Sequence, residues 1–267
     1  MWSKPVAIMI AASLSVPLSR IDAPEPQSRH VENWRAVARR AVYFGHQSVG
    51  ADIVDGIEHL NKELALGLRI VQTYEPSAIA HPAFVHFLAG VNQHPLSKNV
   101  AMLNVLAARP RADSAIVLLK YCYVDIDRDT DVQALFASYR TAVSQIRSRF
   151  PDVTIVHTTV PVTTVESVLK GQVKRLLGRG SVRQDAIARG RYNALVRAAF
   201  AGREPLFDIA RVEATRSDGS RAGFVINGQT IETLAPENTR DGGHLNTRGQ
   251  RIVASELLNV LAGAIRD

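Results

Sequence analysis

The sequence predicts an α/β fold, a three-layer α/β/α sandwich around a central parallel sheet of about five strands. Short apolar segments alternate along the chain with longer segments in which apolar residues recur at helical spacing. One segment, Ser114–Tyr121, contains an uninterrupted apolar run, as expected for a strand that is buried on both faces of a parallel sheet. Alternating strands and helices of this kind place helices on both faces of the sheet.

Each predicted element follows from its local pattern. The strands are predicted at Ala41–Phe44, Leu68–Thr73, Ser114–Tyr121, Val153–Thr158 and Leu206–Ala210. The helices are predicted at Val31–Arg40, from the Ser48 turn to Leu64, at Ser97–Leu106, from the Asp131 cap to Phe150, at Arg183–Phe200 and at Thr247–Ile265. The segment Tyr74–Leu96 is predicted to be rich in loops. Asn227-Gly228 predicts a small β-hairpin outside the main sheet.

The composition indicates one domain, because 267 residues with 46% hydrophobic content can bury one sizeable core. We assign residues 1–23 to a signal peptide, 24–30 to a linker and 31–267 to a single catalytic domain. The signal-peptide assignment rests on one early lysine, an apolar stretch and a small residue at Ala23, and it predicts export to the periplasm or medium. The single cysteine, Cys122, excludes an intramolecular disulfide.

The net charge of +7 comes largely from residues 170–197, where eight basic side chains accompany one acid, Asp185. A solvated helical face accounts for such a run, and contact with an acidic polymer or a membrane surface is the alternative. No zinc-finger spacing, Walker A loop or aromatic RNA-binding motif is present, so nucleic acid is not expected as a partner. The spacing of His81, His86 and His94 matches no metal-ligand motif, so no metal site is predicted.

Ser48 lies where an apolar, β-prone segment passes into a helix. Ala41–Phe44 precedes it, and the apolar residues after it recur at helical spacing. A strand-to-helix turn points backbone N–H groups and the positive end of a helix dipole at the place where an acyl oxyanion would form. We therefore predict that Ser48 is a nucleophile.

A serine nucleophile needs a neighbouring base that takes its proton. Near the other end of the chain, Asp241-Gly242-Gly243-His244 precedes the last predicted helix. We predict His244 as the general base and Asp241 as the carboxylate that orients its ring. A purely structural alternative also exists, because Ser48 and Asp241 are residue types that cap helices, and a histidine often bonds a backbone carbonyl.

The order of these residues resembles that of the SGNH or GDSL-like esterases and acetyl hydrolases. A serine after the first strand, a glycine and an asparagine in the middle, and Asp-x-x-His before the last helix occur in the family's order. The family's Gly-Asp-Ser-Leu reads His46-Gln47-Ser48-Val49 here, and Lys120-Tyr121-Cys122-Tyr123-Val124-Asp125 replaces its Gly-x-Asn-Asp. The resemblance implies a flavodoxin-like SGNH hydrolase fold. It also implies oxyanion-hole donors at Ser48, Gly90 and Asn92.

Five residues near predicted strand ends are candidates for the substrate pocket, because ligands of open α/β sheets bind outside the carboxyl ends of the strands. They are His46, Gln47, Lys120, Tyr121 and Tyr123. His46 is expected either to shape the pocket or to compete with His244 as the base. Lys120 is expected either to remain exposed at the rim or to hold a substrate carboxylate. Asp125 is expected to stabilise its loop.

These features predict a serine hydrolase that cleaves an ester through an acyl-enzyme. The expected substrate is a small-molecule or carbohydrate ester with an O-acetyl or other short acyl group, and the chemistry requires no cofactor. Two alternatives stay open. One is an O-acyltransferase that uses the same residues, and the other is a catalytically silent exported protein that binds an acidic glycan.

Overall fold

Six parallel strands form the central sheet of the computed structural model, which describes residues 26–79, 82–110, 114–165 and 182–265. The strands are β1 (Ala41–His46), β2 (Ile70–Gln72), β3 (Phe84–Leu88), β4 (Ala115–Leu119), β5 (Val153–Thr158) and β6 (Leu206–Phe207). Their order across the sheet is β2-β3-β1-β4-β5-β6. Strand β1 therefore lies inside the sheet, with β3 on one side and β4 on the other.

The helices of the described segments flank this sheet on both faces. They are α1 (Pro26–Val37), α2 (Val49–Leu64), α3 (Pro95–Ala108), α4 (Val132–Arg149), α5 (Val182–Phe200), α6 (Ile209–Ala214) and α7 (Thr247–Ala264). Strands β7 (Gly223–Ile226) and β8 (Gln229–Glu232) form a separate antiparallel hairpin around Asn227-Gly228, which confirms the predicted turn.

Two hydrophobic cores lie on opposite faces of the sheet. Successive residues of β1 point to opposite faces, so Val42 and Phe44 belong to one core and Tyr43 to the other. Helices α1, α2 and α7 supply the first core, whereas α3, α4 and α5 supply the second. This arrangement is the predicted three-layer α/β/α sandwich with a parallel central sheet.

The structure corrects three details of the predicted elements. The segment Tyr74–Leu96, predicted to be rich in loops, contains the buried strand β3, so the sheet has six strands rather than about five. The last predicted strand ends at Phe207, because Asp208 accepts a hydrogen bond from the backbone N–H of Arg211 and begins α6. Helix α1 begins at Pro26, inside the segment assigned as linker.

Several predictions concern residues outside the described ranges. The signal-peptide assignment falls there, as do His81 and the first half of the basic run, from Lys170 to Arg179. None of the helices in the described ranges combines the length and the hydropathy that a membrane span requires.

Candidate active site

Ser48 occupies the turn between β1 and α2 in a conformation that is rare for a residue with a side chain. Its φ is +49° and its ψ is −109°. A non-glycine residue with positive φ costs on the order of 1–3 kcal/mol, so the surrounding packing must hold this turn in place. The Ser48 side chain makes no capping hydrogen bond to α2, which removes the helix-cap explanation for this serine.

Gly50 permits the close packing that holds the turn. A Cβ atom on Gly50 would lie 2.3 Å from Cβ of His46 and 2.5 Å from its Cγ. No side chain therefore fits at position 50 while His46 keeps its place. The last residue of β1 and the first turn of α2 pack directly on each other and leave Ser48 at the apex.

Ser48, His244 and Asp241 form a chain of hydrogen bonds. Ser48 Oγ lies 2.7 Å from His244 Nε2, and His244 Nδ1 lies 2.7 Å from Asp241 Oδ2. With Nδ1–H donating to the carboxylate, Nε2 is the ring atom that can accept the serine proton. The side chain of His244 is 32% exposed, so the ring also faces the solvent.

The Asp241 carboxylate is held by the backbone of its own loop. Its Oδ1 accepts hydrogen bonds from the N–H groups of His244, at 2.7 Å, and Gly243, at 2.9 Å. These two bonds, with the bond to the His244 ring, lower the pKa of Asp241 well below its usual value. Asp241 therefore stays ionised beside the imidazole across the ordinary pH range.

Asp52 joins the histidine loop to the serine helix. This buried residue lies one helical turn after Ser48, and its Oδ2 accepts a hydrogen bond from the N–H of Leu245 at 3.0 Å. Its Oδ1 accepts one from Arg240 Nη1 at 2.8 Å. Asp52 thus ties both flanks of His244 to α2, so Ser48 and His244 are positioned by the same helix.

Gly90 and Asn92, the expected oxyanion donors, differ in their surroundings. Gly90 has φ +55°, and its carbonyl accepts a hydrogen bond from Gln47 Nε2 at 2.8 Å, beside Ser48. Among the described residues, neither the Ser48 N–H nor the Gly90 N–H has a protein acceptor. Asn92 is exposed, and its Oδ1 accepts a hydrogen bond from Lys98 Nζ at 3.1 Å.

Comparison with known proteins identifies the fold. The chain matches no protein-family model and no curated protein at a significant level. A solved structure from Bacteroides fragilis, described as an acylhydrolase, is 14% identical, with a TM-score of 0.51 over 92% of this chain and 100% of that chain. One from Streptococcus pneumonia, described as a platelet activating factor, is 13% identical, with a TM-score of 0.50 over 88% and 92%. The chain has the SGNH-hydrolase fold.

In this SGNH-hydrolase fold, three of the five predicted pocket residues lie in the interior. His46, Lys120 and Tyr121 are at most 3% exposed. Tyr121 donates to Asn99 Oδ1 at 2.7 Å, and Lys120 Nζ has contacts of 3.4 Å with the Tyr121 carbonyl and Cys122 Sγ. The structure therefore places Lys120 beneath the Ser48 turn rather than at a rim. Of the five, Tyr123 lines the open cleft beside His244.

His46 is paired with another histidine. Its Nε2 lies 3.1 Å from Nδ1 of His86, and the two rings stack with centroids 5.3 Å apart. Burial, the charge of Lys120 and the neighbouring His86 lower the pKa of His46 to about 3. The residue is therefore uncharged at neutral pH and serves as packing for the turn.

An open cleft of about 550 Å³, with both polar and apolar lining, extends from His244 between the loops that follow β4 and β5. Polar groups from several elements line it: Tyr123, Asp127, Thr163, Asp185, Arg189 and Asp241. Arg189 is 5% exposed, and it donates to the Tyr123 carbonyl at 3.0 Å and to Thr163 Oγ1 at 2.9 Å. The predicted basic run therefore supplies a buried structural arginine as well as surface charge.

Two further residues of this region, Asp52 and Glu213, escaped the sequence reasoning. For Asp52, the sequence gives one weak indication of a role at the site, because the residue lies one helical turn after Ser48. Asp125 was recognised as a loop residue, and its carboxylate accepts from the N–H groups of Cys122 and Gln93, joining the loops after β4 and β3. Glu213 is fully buried, and desolvation raises its pKa to about 8. Arg189 and Glu213 carry no local pattern that distinguishes them from surface charges.

Proposed function

We propose that this chain is a serine hydrolase that cleaves an ester bond by forming an acyl-enzyme on Ser48. The observation that carries the proposal is the arrangement of Ser48 Oγ, the His244 ring and the Asp241 carboxylate in one chain with two contacts of 2.7 Å. Nucleophile, base and orienting carboxylate stand in the relation that serine hydrolysis requires. The strained Ser48 turn supports the same role, since such strain is concentrated at functional sites.

In the proposed mechanism, His244 Nε2 takes the Ser48 proton as Oγ attacks the ester carbonyl. Asp241 stabilises the imidazolium that forms, and the N–H groups of Ser48 and Gly90, which have no acceptor among the described residues, donate to the carbonyl oxygen as it gains charge. His244 then gives the proton to the leaving alcohol. Water enters, His244 acts again as the base, and the acyl group is released.

The position of His244 also supports a substrate with a polar alcohol. The group that protonates a leaving alcohol must be within hydrogen-bond reach of it. His244 opens into the cleft lined by Asp127, Thr163 and Asp185. Carboxylates accept hydrogen bonds from hydroxyl groups and repel anions, and a threonine hydroxyl can donate or accept a hydrogen bond. We therefore propose a short acyl ester of a hydroxyl-rich alcohol, such as a carbohydrate, as the substrate.

The decisive test is hydrolysis of p-nitrophenyl acetate and p-nitrophenyl butyrate by the wild type and by Ser48→Ala. We expect loss of hydrolysis in Ser48→Ala by a factor of about 10⁴ or more. Ser138→Ala, which removes an exposed hydroxyl from α4, is the matched control and should keep wild-type rates. Both variants should unfold at the wild-type temperature.

Other outcomes are equally informative. Hydrolysis that survives in Ser48→Ala would contradict the proposal. Acetyl transfer to an added sugar that outpaces hydrolysis would assign the site to an O-acyltransferase with the same nucleophile. A ratio of acetate to butyrate rates well above unity would support the short acyl group.

A further inference from the structure

Tyr123 lies against the proposed nucleophile from the side opposite Gly90. The loop after β3 brings Gly90 to one side of the Ser48 turn, and the loop after β4 brings Tyr123 to the other, because β3 and β4 flank β1. The rings of Tyr123 and His244 meet edge to face, with centroids 6.2 Å apart. A Cβ atom added to Gly243 would lie 3.0 Å from the Tyr123 hydroxyl oxygen.

The backbone of Tyr123 is held by two buried charged residues. Arg189 Nη1 donates to the Tyr123 carbonyl at 3.0 Å. Asp125 Oδ2 accepts from the N–H of Cys122 at 2.6 Å, on the other side of the residue. Neither contact involves the phenol. The ring is thus fixed at its base and against His244, and it lines the cleft that opens at His244.

The Tyr123 hydroxyl is a neutral donor beside the serine. The Ser48 side chain lies near enough to this hydroxyl to lower the pKa of the phenol slightly, against the larger effects that raise it. Burial and the nearby Asp241 carboxylate raise the pKa of Tyr123, so the phenol keeps its proton at neutral pH. Ser48 Oγ directs its own proton to His244, so its lone pairs remain available to accept a hydrogen bond from the phenol until it attacks.

We propose that Tyr123 is a catalytic residue whose hydroxyl donates a hydrogen bond to the ester carbonyl oxygen as that oxygen becomes an oxyanion. The inference rests on the proposed function. When Ser48 Oγ bonds to the carbonyl carbon, its lone pair is used, and the phenol O–H turns from Oγ to the adjacent oxyanion. No proton is transferred, and Tyr123 remains neutral throughout. The oxyanion is then held between the N–H groups of Ser48 and Gly90 on one side and the phenol on the other.

The test is Tyr123→Phe, which keeps the ring against His244 and removes the hydroxyl. Loss of one oxyanion donor lowers kcat by about 10²–10³, and we expect a loss in this range with KM changed by less than about three-fold. Tyr74→Phe, which removes a hydroxyl from a tyrosine that is 57% exposed, is the control and should keep wild-type kinetics. Thermal unfolding of both variants shows whether the fold is intact.

A second substrate separates this role from assistance to the leaving alcohol. p-Nitrophenolate leaves without protonation, whereas an alkyl alcohol needs a proton from His244. An oxyanion donor is needed for both, so Tyr123→Phe should lose kcat equally on p-nitrophenyl acetate and on an alkyl acetate. A loss confined to the alkyl ester would overturn the proposal, as would a raised KM with unchanged kcat.

The controls also separate this proposal from the proposed function. If the wild type hydrolyses and Ser48→Ala does not, unchanged kcat in Tyr123→Phe overturns the role of Tyr123 alone. If the wild type lacks hydrolysis, or if Ser48→Ala retains it, the proposed function fails and the role of Tyr123 fails with it.

Discussion

Two imidazoles lie close to Ser48, and they occupy opposite environments. His46 precedes the serine by two residues, is 1% exposed, and contacts another histidine. His244 follows it by 196 residues, has a side chain that is 32% exposed, and contacts a carboxylate. The distant histidine makes the 2.7 Å contact with Ser48 Oγ. Closeness in sequence therefore does not identify the partner of a reactive side chain.

The difference follows from what each ring must do. A general base must face the substrate and be stabilised when it is protonated, as Asp241 can stabilise His244. His46 meets the opposite conditions, because Lys120 is a positive neighbour and burial disfavours the charged ring. Its Nδ1 has no partner among the described residues, although the atom is buried. The ring instead packs against Gly50 and supports the strained turn.

The strongest test of this difference between His46 and His244 is to make the same substitution at both histidines. His244→Gln should lower kcat for p-nitrophenyl acetate by a factor of about 10⁴ or more, because the proposed general base is lost. His46→Gln should retain kcat within about ten-fold, because the His46 ring contacts His86 and makes no hydrogen bond to Ser48 among the described residues. Steady-state kinetics on both proteins decides the matter. An equal loss in the two variants would show that His46 takes part in proton transfer.

A smaller effect is expected from the carboxylate that orients His244. Asp241→Asn should lower kcat by a factor of about 10²–10⁴, because the amide can favour the wrong ring tautomer and no longer stabilises the imidazolium. Asp218→Asn, at an exposed turn far from His244 in sequence, is a suitable control. Wild-type kcat in Asp241→Asn would indicate that the 2.7 Å contact is structural only.

The smallest effect concerns stability in acid. The pKa of His46 is lowered to about 3 in the folded protein, whereas the unfolded imidazole titrates near its usual value of about 6.5. The unfolded state therefore binds the proton more tightly, and stability is lost as pH falls from about 6.5 toward 3. When the pH falls from 7 to 4, the unfolding free energy of His46→Gln should decrease by about 2–3 kcal/mol less than that of the wild type.

Urea unfolding at the two pH values measures this difference, and His59→Gln on the exposed side of α2 is the control. The comparison concerns the change with pH, since removing a buried contact lowers stability at every pH. If the unfolding free energies of wild type and His46→Gln fell equally with pH, the folded protein would protonate His46 as readily as the unfolded chain does. His46 would then differ from His244 in its position in the fold and not in its charge state.

The sequence predicted most elements because their signals are local. The run Ala115–Leu119 is apolar throughout, and the cap at Asp131 precedes a helix with regular apolar spacing. Strand β3 was missed because His86 interrupts its apolar residues and Pro, His and Gly surround them. In the sheet, that histidine is buried against His46, so a contact between distant segments explains a residue that looks out of place locally.

The candidate site likewise has features that the sequence predicts and features that depend on the tertiary structure. Ser48, Asp241 and His244 are recognisable from residue type and order, and their spacing around predicted elements indicates the chemistry. Their mutual distances depend on Asp52, which joins the histidine loop to α2 across nearly two hundred residues. The burial of Lys120 and the placement of Tyr123 also depend on which strands flank β1.

By itself, the sequence determined the α/β class, the order of most strands and helices, and the three residue types proposed for catalysis. Periodicity and capping act within a few residues, so a linear pattern records them directly. The tertiary structure alone decided that Ser48 Oγ and His244 Nε2 come within 2.7 Å, that Lys120 is enclosed, and that Tyr123 lines the cleft beside His244. Those outcomes depend on packing between segments that are far apart in the chain, and burial then sets the charge of each group.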